Sequence, residues 1–481
     1  MLQLFLSMEG VKAVHYGTSA TAIKGSDGSV NGSEKSGTSS GSQMELEQLG
    51  VRFHYVPMND EKRTKQWLDK VTGDTAANDS SVRDDDHGVV AAAANVLVVM
   101  DKFFAEEAYA FHIQKHLPNN AAIVLDMQDM HSLRWHREQI IKQREQQQQN
   151  QKTTDITFEN DAPGDPLSQL PIRDFPTAND TDLQRELASI HRSDLTLVCS
   201  PAEMDLLHKT YNVPKEKLCL ASFFVHESLI HRENPSFAER KDFVFLGGFR
   251  HAPNVDAVRQ LKRLWPRIRT KVMQPQQHES GPPQHKDDLK LHVYGPFASK
   301  SLRDECHNPS EGFLFHGFSN KSTEEIVSRH RVMLAPLRFG AGIKGKIVDA
   351  WAYGTAIVTT PIGSEGMEGT SMVSSGASMD NNSNGGDWGG VIAKDSEDFV
   401  QHAASLYCNE TRWQTATWQG KELLTELYGM QNFEKVRLEL VDVVNNLESR
   451  RKSDYVRGIL WHESLRSHGY FSRWIEAKNK P

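Results

Sequence analysis

Nine residues form the strongest chemical signal in the chain: Arg338-Phe339-Gly340-Ala341-Gly342-Ile343-Lys344-Gly345-Lys346. They stand between an apolar run, Val332–Leu337, and a helical pattern, Lys346–Tyr353. Three glycines let a backbone approach a ligand closely. The helix start adds free N–H groups and the positive end of the dipole, which suits a phosphate. Lys344 and Lys346 add charge, although one of them can equally be a solvated surface lysine. The P-loop pattern G-x-x-x-x-G-K-[ST] is not met, because Ile347 follows Lys346. A second run, Phe245-Leu246-Gly247-Gly248-Phe249-Arg250-His251-Ala252-Pro253-Asn254, again places glycines and an arginine after a strand. The planar fork of Arg250 matches a diphosphate. The dinucleotide fingerprint G-x-G-x-x-G is absent, which argues against a nicotinamide cofactor. A third loop, Ile362-Gly363-Ser364-Glu365-Gly366, has amides that can hold sugar hydroxyls or phosphate. An ordinary glycine turn is the alternative there.

The first half offers Asp126-Met127-Gln128-Asp129-Met130-His131-Ser132 after an apolar run. Asp129 can orient a hydroxyl and His131 can transfer a proton; helix capping is the competing role for Asp129. Glu106 and Glu107, after Asp101, suit the start of a helix. Asp84-Asp85-Asp86-His87 forms an Asp-x-Asp pattern in a polar loop and reads as solvated rather than metal-binding. The other histidines lack ligand spacing. The four cysteines, Cys199, Cys219, Cys306 and Cys408, form no C-x-x-C pair, so reduced thiols are expected.

These residues need a scaffold. Short apolar runs at Lys12–Tyr16, Val51–Val56, Val96–Met100, Ala122–Asp126 and Leu195–Cys199 read as buried strands. A helical pattern spans 106–117, and Ser200, Pro201 and Glu203 carry a helix-start signal. In the second half, strands are expected at Phe243–Leu246, Leu291–Tyr294, Phe313–His316, Val332–Leu337 and Ala356–Thr360. Asn254 is the expected cap of a helix with an apolar stripe from Val255 to Ile268. Ser322 with Glu325 reads as a capping box, and Gly354 as a helix stop. Strands alternating with helices imply parallel sheets covered on both faces. The fold class is therefore α/β, with two Rossmann-like domains facing across a cleft, and the ligand belongs at the carboxyl ends of the strands. The first domain is expected over 1–225, the second over 240–430, and a helical tail over 431–481. Aromatic residues in the tail, Trp461, Tyr470, Phe471 and Trp474, predict packing against the body.

Of the 481 residues, 38% are hydrophobic and 25% charged, and mean hydropathy is -0.56. That polarity is attributed to insertions at 25–43, 143–182, 274–288 and 371–390, whose composition cannot bury enough apolar surface to order itself. A net charge of -8 leaves no basic footprint for nucleic acid. No apolar run reaches the ~20 residues of a spanning helix, which leaves only peripheral contact with a membrane open.

Residues Asp242 to Met367 resemble the donor-binding domain of family-4-type glycosyltransferases with the GT-B fold. The likeness is carried by Phe245 to Ala257, by Ala335 to Lys346, and by Thr359-Thr360-Pro361-Ile362-Gly363-Ser364-Glu365-Gly366-Met367. Asp126 to Arg134, Arg185 to Leu197 and Tyr470 to Ile475 are similar more loosely. The resemblance implies transfer of a sugar from a nucleoside diphosphate donor, usually with retained configuration and without a metal or other cofactor. It implies that Gly247, Gly248, Arg250 and the loop Gly342, Ile343, Lys344, Gly345, Lys346 meet the diphosphate. Asp349 would hold the nucleotide ribose, with Gly363, Ser364 and Glu365 near the nucleotide or sugar. Asp129 and His131 would serve catalysis from the opposite domain. The wider family carries a sugar-contacting glutamate where this chain has Ala341; the subgroup with Gly-Ala-Gly-Ile-Lys-Gly-Lys shares that difference.

Three readings are open: a glycosyltransferase, a nucleotide-sugar-binding protein or degenerate transferase without activity, and another enzyme on a similar fold, such as a sugar epimerase or a dehydrogenase. The expected partners are a nucleoside diphosphate sugar and an acceptor that the sequence does not name. By the same resemblance, Met1 to Met8 reads as the family's first helix and Gly10 to Tyr16 as its second strand. The opening strand and its glycine loop are therefore expected upstream of Met1. A cytoplasmic location is expected from the absence of a signal peptide in the chain as written.

Overall fold

The structure, a computed structural model, describes residues 14–18, 51–56, 60–77, 96–117, 121–154, 164–274, 289–369 and 388–464, with a few isolated positions besides. Its strands form three wholly parallel sheets. β1 (His15–Thr18) pairs only with β2 (Arg52–Tyr55) among the described residues. β3 (Val96–Asp101), β4 (Ala121–Asp126), β5 (Leu195–Val198) and β6 (Leu218–Leu220) make a four-stranded sheet in that order. Among the described residues, the first half thus shows two sheets where a single one was expected. Its helices include α1 (His131–Thr154), directly after β4, and α2 (Pro201–Asp205), directly after β5. The expected helix over 106–117 begins earlier, at Lys102, and widens into a π-helical turn at Glu106–Ala110.

The second half is one six-stranded sheet. β7 (Lys241–Leu246), β8 (Leu291–Tyr294), β9 (Phe313–Gly317), β10 (His330–Ala335), β11 (Ala356–Thr359) and β12 (Val391–Ile392) lie in the order β12-β11-β10-β7-β8-β9. The chain leaves β7 toward one edge and β10 toward the other. A crevice therefore opens at the carboxyl ends of these two central neighbours, which is where ligands sit in open α/β sheets. Both faces of this sheet are covered: Phe243, Phe245 and Val332 point into one apolar core, Val244, Met333 and Ile357 into the other.

Helix α3 (Ala252–Val272) buries Val258, Leu261, Leu264, Trp265 and Ile268 against the first of these cores. Its cap is His251, three residues earlier than expected, because Pro253 fits the first turn and Asn254 is used elsewhere. Ser200 likewise makes no side-chain capping bond, whereas the Ser322–Glu325 capping box is complete. Helix α4 (Gly345–Ala352) ends where Gly354 adopts a left-handed φ of 62°.

As expected, the tail over 431–481 is not free of the body: α5 (Met430–Asn445) lays Val436, Leu440 and Val443 on the back of the four-stranded sheet, against Ala122, Val124, Leu195 and Leu197. Farther on, Trp461 Nε1 donates to Arg192 O at 2.9 Å, and Arg451 and Arg457 both pair with the buried Asp194. Tyr470, Phe471 and Trp474 lie outside the described residues.

The region 143–182 is not merely an insertion. α1 runs on through the Gln-rich run to Thr154, since Gln, Glu and Lys are good helix formers even where they bury nothing. After 155–163, which lie outside the described residues, Leu167 is buried in the second-domain core and Asp165 accepts the Ser396 N–H at 2.7 Å. Leu167→Ala should therefore cost about 2–5 kcal/mol, read by urea unfolding; a loss under about 0.5 kcal/mol would restore the loop reading. At 371–390, the last three residues belong to the body: Trp388 Nε1 donates to Met367 O at 3.1 Å, and Gly389 O accepts from Trp351. The segments 25–43 and 275–288, and Asp84–Asp86, lie outside the described residues. Among the described residues no helix is long and apolar enough to cross a membrane.

Candidate active site

The loop after β7 and the start of α4 meet in the crevice, and Asn254 joins them. Its Nδ2 donates to Gly248 O at 2.9 Å, while its Oδ1 accepts from Lys346 Nζ at 2.5 Å. A side chain on Gly247 would collide with Asn254 at 2.6 Å, whereas one on Gly248 would meet nothing within 4 Å. Gly248 thus faces open space at the strand end. Arg250 is exposed at the rim, its guanidinium 3.7 Å from the centre of the Phe297 ring.

Lys344 caps α4, and its Nζ donates to Gly342 O at 2.5 Å. Lys346 Nζ lies 4.5 Å from the centre of the Phe245 ring. Neither lysine makes an ion pair among the described residues. Burial lowers the affinity of both for their protons; with the neighbouring Lys344 charge, Lys346 is pushed down to about 7. Asp349, one turn along, is pushed up to about 6 by burial, against the pull of Lys346. Gly345 lies beside Phe223, and Ile343 packs against the second core.

Across the crevice stand the carboxyl ends of β3 and β4. Lys102 and Gln128, both non-glycine, adopt left-handed φ values of 69° and 58°, a strained conformation that often marks functional loops. Gln128 Nε2 donates to Asp101 Oδ1 at 2.6 Å. Asp129 is ion-paired with Arg134 and packs against Gly342: a Cβ on that glycine would lie 2.8 Å from Asp129 Cβ. Gly342 has φ 66°, so two independent constraints demand glycine there.

His131 sits below this surface, against the expected catalytic role. It is enclosed edge-on by Phe103, Phe104 and Trp135, its Nδ1 is 3.1 Å from Asp129 Oδ1, and burial favours its neutral form. It supports Asp129 rather than lining the cleft. His251, from the opposite loop, is the histidine at the mouth; burial and the Arg134 charge lower its pKa.

The third glycine loop also departs from expectation. Gly363 and Ser364 are buried, with the Ser364 hydroxyl turned toward Thr360 O and Pro361 O. Glu365 is occupied by Arg137, which donates from Nη1 and Nη2 to its two oxygens at 2.7 and 2.8 Å. Arg137, itself fully buried, also donates to Gly340 O at 3.0 Å and Ile172 O at 2.9 Å. These bonds tie α1 to the loops that carry Gly340 and Glu365 in the second domain. Glu203 makes a second tie, accepting the N–H groups of Met130 and Gly342 at 2.9 and 2.8 Å.

Two recesses lie outside this crevice: about 490 Å³ between α1 and α3, and about 290 Å³ beside Arg137, Glu203 and Lys209. In the larger recess, Arg144, Arg267 and Arg338 already pair with Asp174, Glu397 and Asp256; in the crevice, Lys344 feels the charges of Glu365 and Glu203, and Lys346 that of Asp349, without an ion pair among the described residues.

The start of α1 also titrates. Glu186 accepts the N–H groups of His131 and Ser132 at 2.7 and 3.0 Å, yet burial pushes it up to about 7 from an ordinary 4.5. Its folded value lies above its unfolded one, so it stabilises the fold fully below pH 4.5, and that contribution is lost as pH rises through 7. Relative to wild type, Glu186→Gln should therefore gain stability as pH rises from about 4.5 to 7, and the gain should level off above that, measured by thermal unfolding in a pH series. A constant difference across the series would contradict this. The comparison must be with wild type, because His316 and His330, pushed down to about 4, tilt the whole-chain profile oppositely below pH 6.5.

Lys102, Arg134, Arg137, Glu203 and His251 thus also stand around the crevice or between its walls, and spacing does not select them. The left-handed φ of Lys102 is invisible in sequence, and Arg137 meets Glu365 across 228 positions. Only Glu203 carries a local signal, and that signal reads as helix capping.

A family model described as Glycosyl transferases group 1 matches residues 240–409. No curated protein matches the chain in sequence. Among solved structures, a glycosyltransferase from Rickettsia africae ESF-5 superposes with a TM-score of 0.50 at 8% identity, over 84% of this chain and 88% of that one. Anabaena Alr3699/HepE in complex with UDP-glucose does so with 0.50 at 10% identity, over 83% and 88%. At such identities the likeness is one of fold. The chain spans 55% and 54% of the length of two S. aureus TarM structures, which it matches with TM-scores of 0.45 and 0.46 at 12% identity. Residues 240–409 thus match the Glycosyl transferases group 1 model, and the two parallel α/β units facing across a crevice share the fold of these glycosyltransferase structures.

Proposed function

We propose that the chain transfers a sugar from a nucleoside diphosphate sugar to an acceptor, without a metal ion and with retention of configuration. One observation carries the donor side of this reading: Lys344, buried, and Lys346, half-buried, are held at a helix start and make no carboxylate ion pair among the described residues. Burying an ammonium group unpaired is costly, and an anionic ligand offsets that cost. The diphosphate would lie over Gly248, between the α4 amides and Arg250, which swings from Phe297 to meet it. Stabilising the leaving nucleoside diphosphate there lowers the barrier to breaking the glycosidic bond. Asp349 holds the ribose, and Asp129 orients the acceptor or the sugar from the other side. Cationic side chains and amide dipoles take the role that a divalent ion plays elsewhere, and retention follows from the family resemblance.

UDP-glucose, bound by the Anabaena protein, is the first donor to test. Turnover should be read as released nucleoside diphosphate, across a panel of sugar donors and in the presence of EDTA. Activity that disappears with EDTA and returns with manganese would overturn the metal-free reading. The second reading, donor binding without transfer, is favoured by the pairing of Asp129 with Arg134 and the burial of His131. It predicts donor binding but no nucleoside diphosphate release with any acceptor.

A further inference from the structure

We propose that Glu203 is a positioning residue that couples donor binding to domain closure, by holding the backbone of Gly342 from the opposite domain. The inference rests on the donor site described above. Glu203 belongs to α2, which directly follows the first-sheet strand β5, and is 2% exposed. One of its oxygens accepts two N–H groups: Met130, at the head of α1, and Gly342, in the donor loop. Met130 fixes the carboxylate within its own domain, so the bond to Gly342 fixes the donor loop to that domain.

Gly342 is where this hold meets the ligand site. Its N–H is given to Glu203 and its C=O accepts Lys344 Nζ, so a single residue joins the first-domain carboxylate to the cap of α4. A diphosphate that draws Lys344 toward itself must take that ammonium from Gly342 O, on a loop whose position Glu203 sets. The close fit of Gly342 to Asp129 and Cys199, 2.8 and 3.3 Å from a notional Cβ, leaves the loop little freedom to dock otherwise. Arg137 and Glu365 hold the same loop from its other end, through Gly340 O. Glu203 engages the stretch that carries the lysines.

The test uses the full chain, with inorganic pyrophosphate and UDP as probes, titrated by calorimetry. Glu203→Gln keeps an oxygen for both amides and should bind within about threefold of wild type. Glu203→Leu removes the acceptor and should weaken both probes at least roughly tenfold, with small-angle scattering showing a more open molecule. Should the leucine variant not fold, Glu203→Asp replaces it: its shorter arm cannot reach both amides, and at least roughly fivefold weakening is expected. A folded leucine or aspartate variant that binds and closes like wild type would overturn the proposal. So would a glutamine variant as weak as leucine, since an acceptor alone would then be insufficient. Wild-type protein that binds neither probe removes the donor reading itself, and is thereby distinguished from a failure of Glu203 alone.

Discussion

Arg137→Leu lowers the free energy of unfolding by about 3–5 kcal/mol. The guanidinium is buried between the domains and donates to both oxygens of Glu365, to Gly340 O and to Ile172 O. Its removal leaves the Glu365 carboxylate and two carbonyl oxygens without donors in a site from which water is largely excluded, and an unpaired buried charge is among the most expensive defects a fold can carry. Arg137→Leu with Glu365→Leu should recover a substantial part of the loss, because the second change deletes the stranded charge. Urea unfolding of the two single variants and the double variant supplies the cycle. A single-variant loss below about 1 kcal/mol would show that the domains are held by something else.

Lys346→Met should separate stability from binding. In the ligand-free chain the ammonium is desolvated, pushed down to about 7, and answered by Asn254 Oδ1 and the Phe245 ring. A methionine of similar length fills the space without charge, so the unliganded melting temperature should hold or rise. Diphosphate affinity should fall by about 1.5–3 kcal/mol, roughly 10- to 150-fold, as expected for a lost hydrogen bond to a charged group. A variant that melts lower and binds as before would make Lys346 structural and move the anion site elsewhere.

The donor half was readable because its information is local. Each apolar run from Phe243 to Thr359 forms a strand within a residue or two of its expected bounds, and each functional loop comes directly after its strand. Parallel strands buried on both faces announce themselves by composition. The first half was less readable because its site is built from pairings distant in sequence. Nothing near Arg137 points to Glu365, and nothing near Glu203 points to Gly342. His131 reads as catalytic in the sequence because a histidine beside an aspartate after a strand is a common arrangement; its enclosure by Phe103, Phe104 and Trp135 comes from distant packing that spacing does not show. The Gln-rich run misled for a related reason. Polar composition says that a segment buries little of itself, not that it lacks structure, and a single residue such as Leu167 can anchor its neighbours to a core.

The central claim is that the crevice between the β7 loop and α4 is a metal-free diphosphate site. It is tested most directly by calorimetric titration of UDP, GDP and the matching bare nucleosides into the full chain in EDTA, with wild type and Arg250→Ala side by side. The account predicts that at least one diphosphate binds wild type in EDTA. It predicts that Arg250→Ala weakens that diphosphate by about 1.5–3 kcal/mol while leaving the bare nucleoside nearly unchanged. Binding that requires a divalent ion, or diphosphate affinity unaltered in Arg250→Ala, would contradict it.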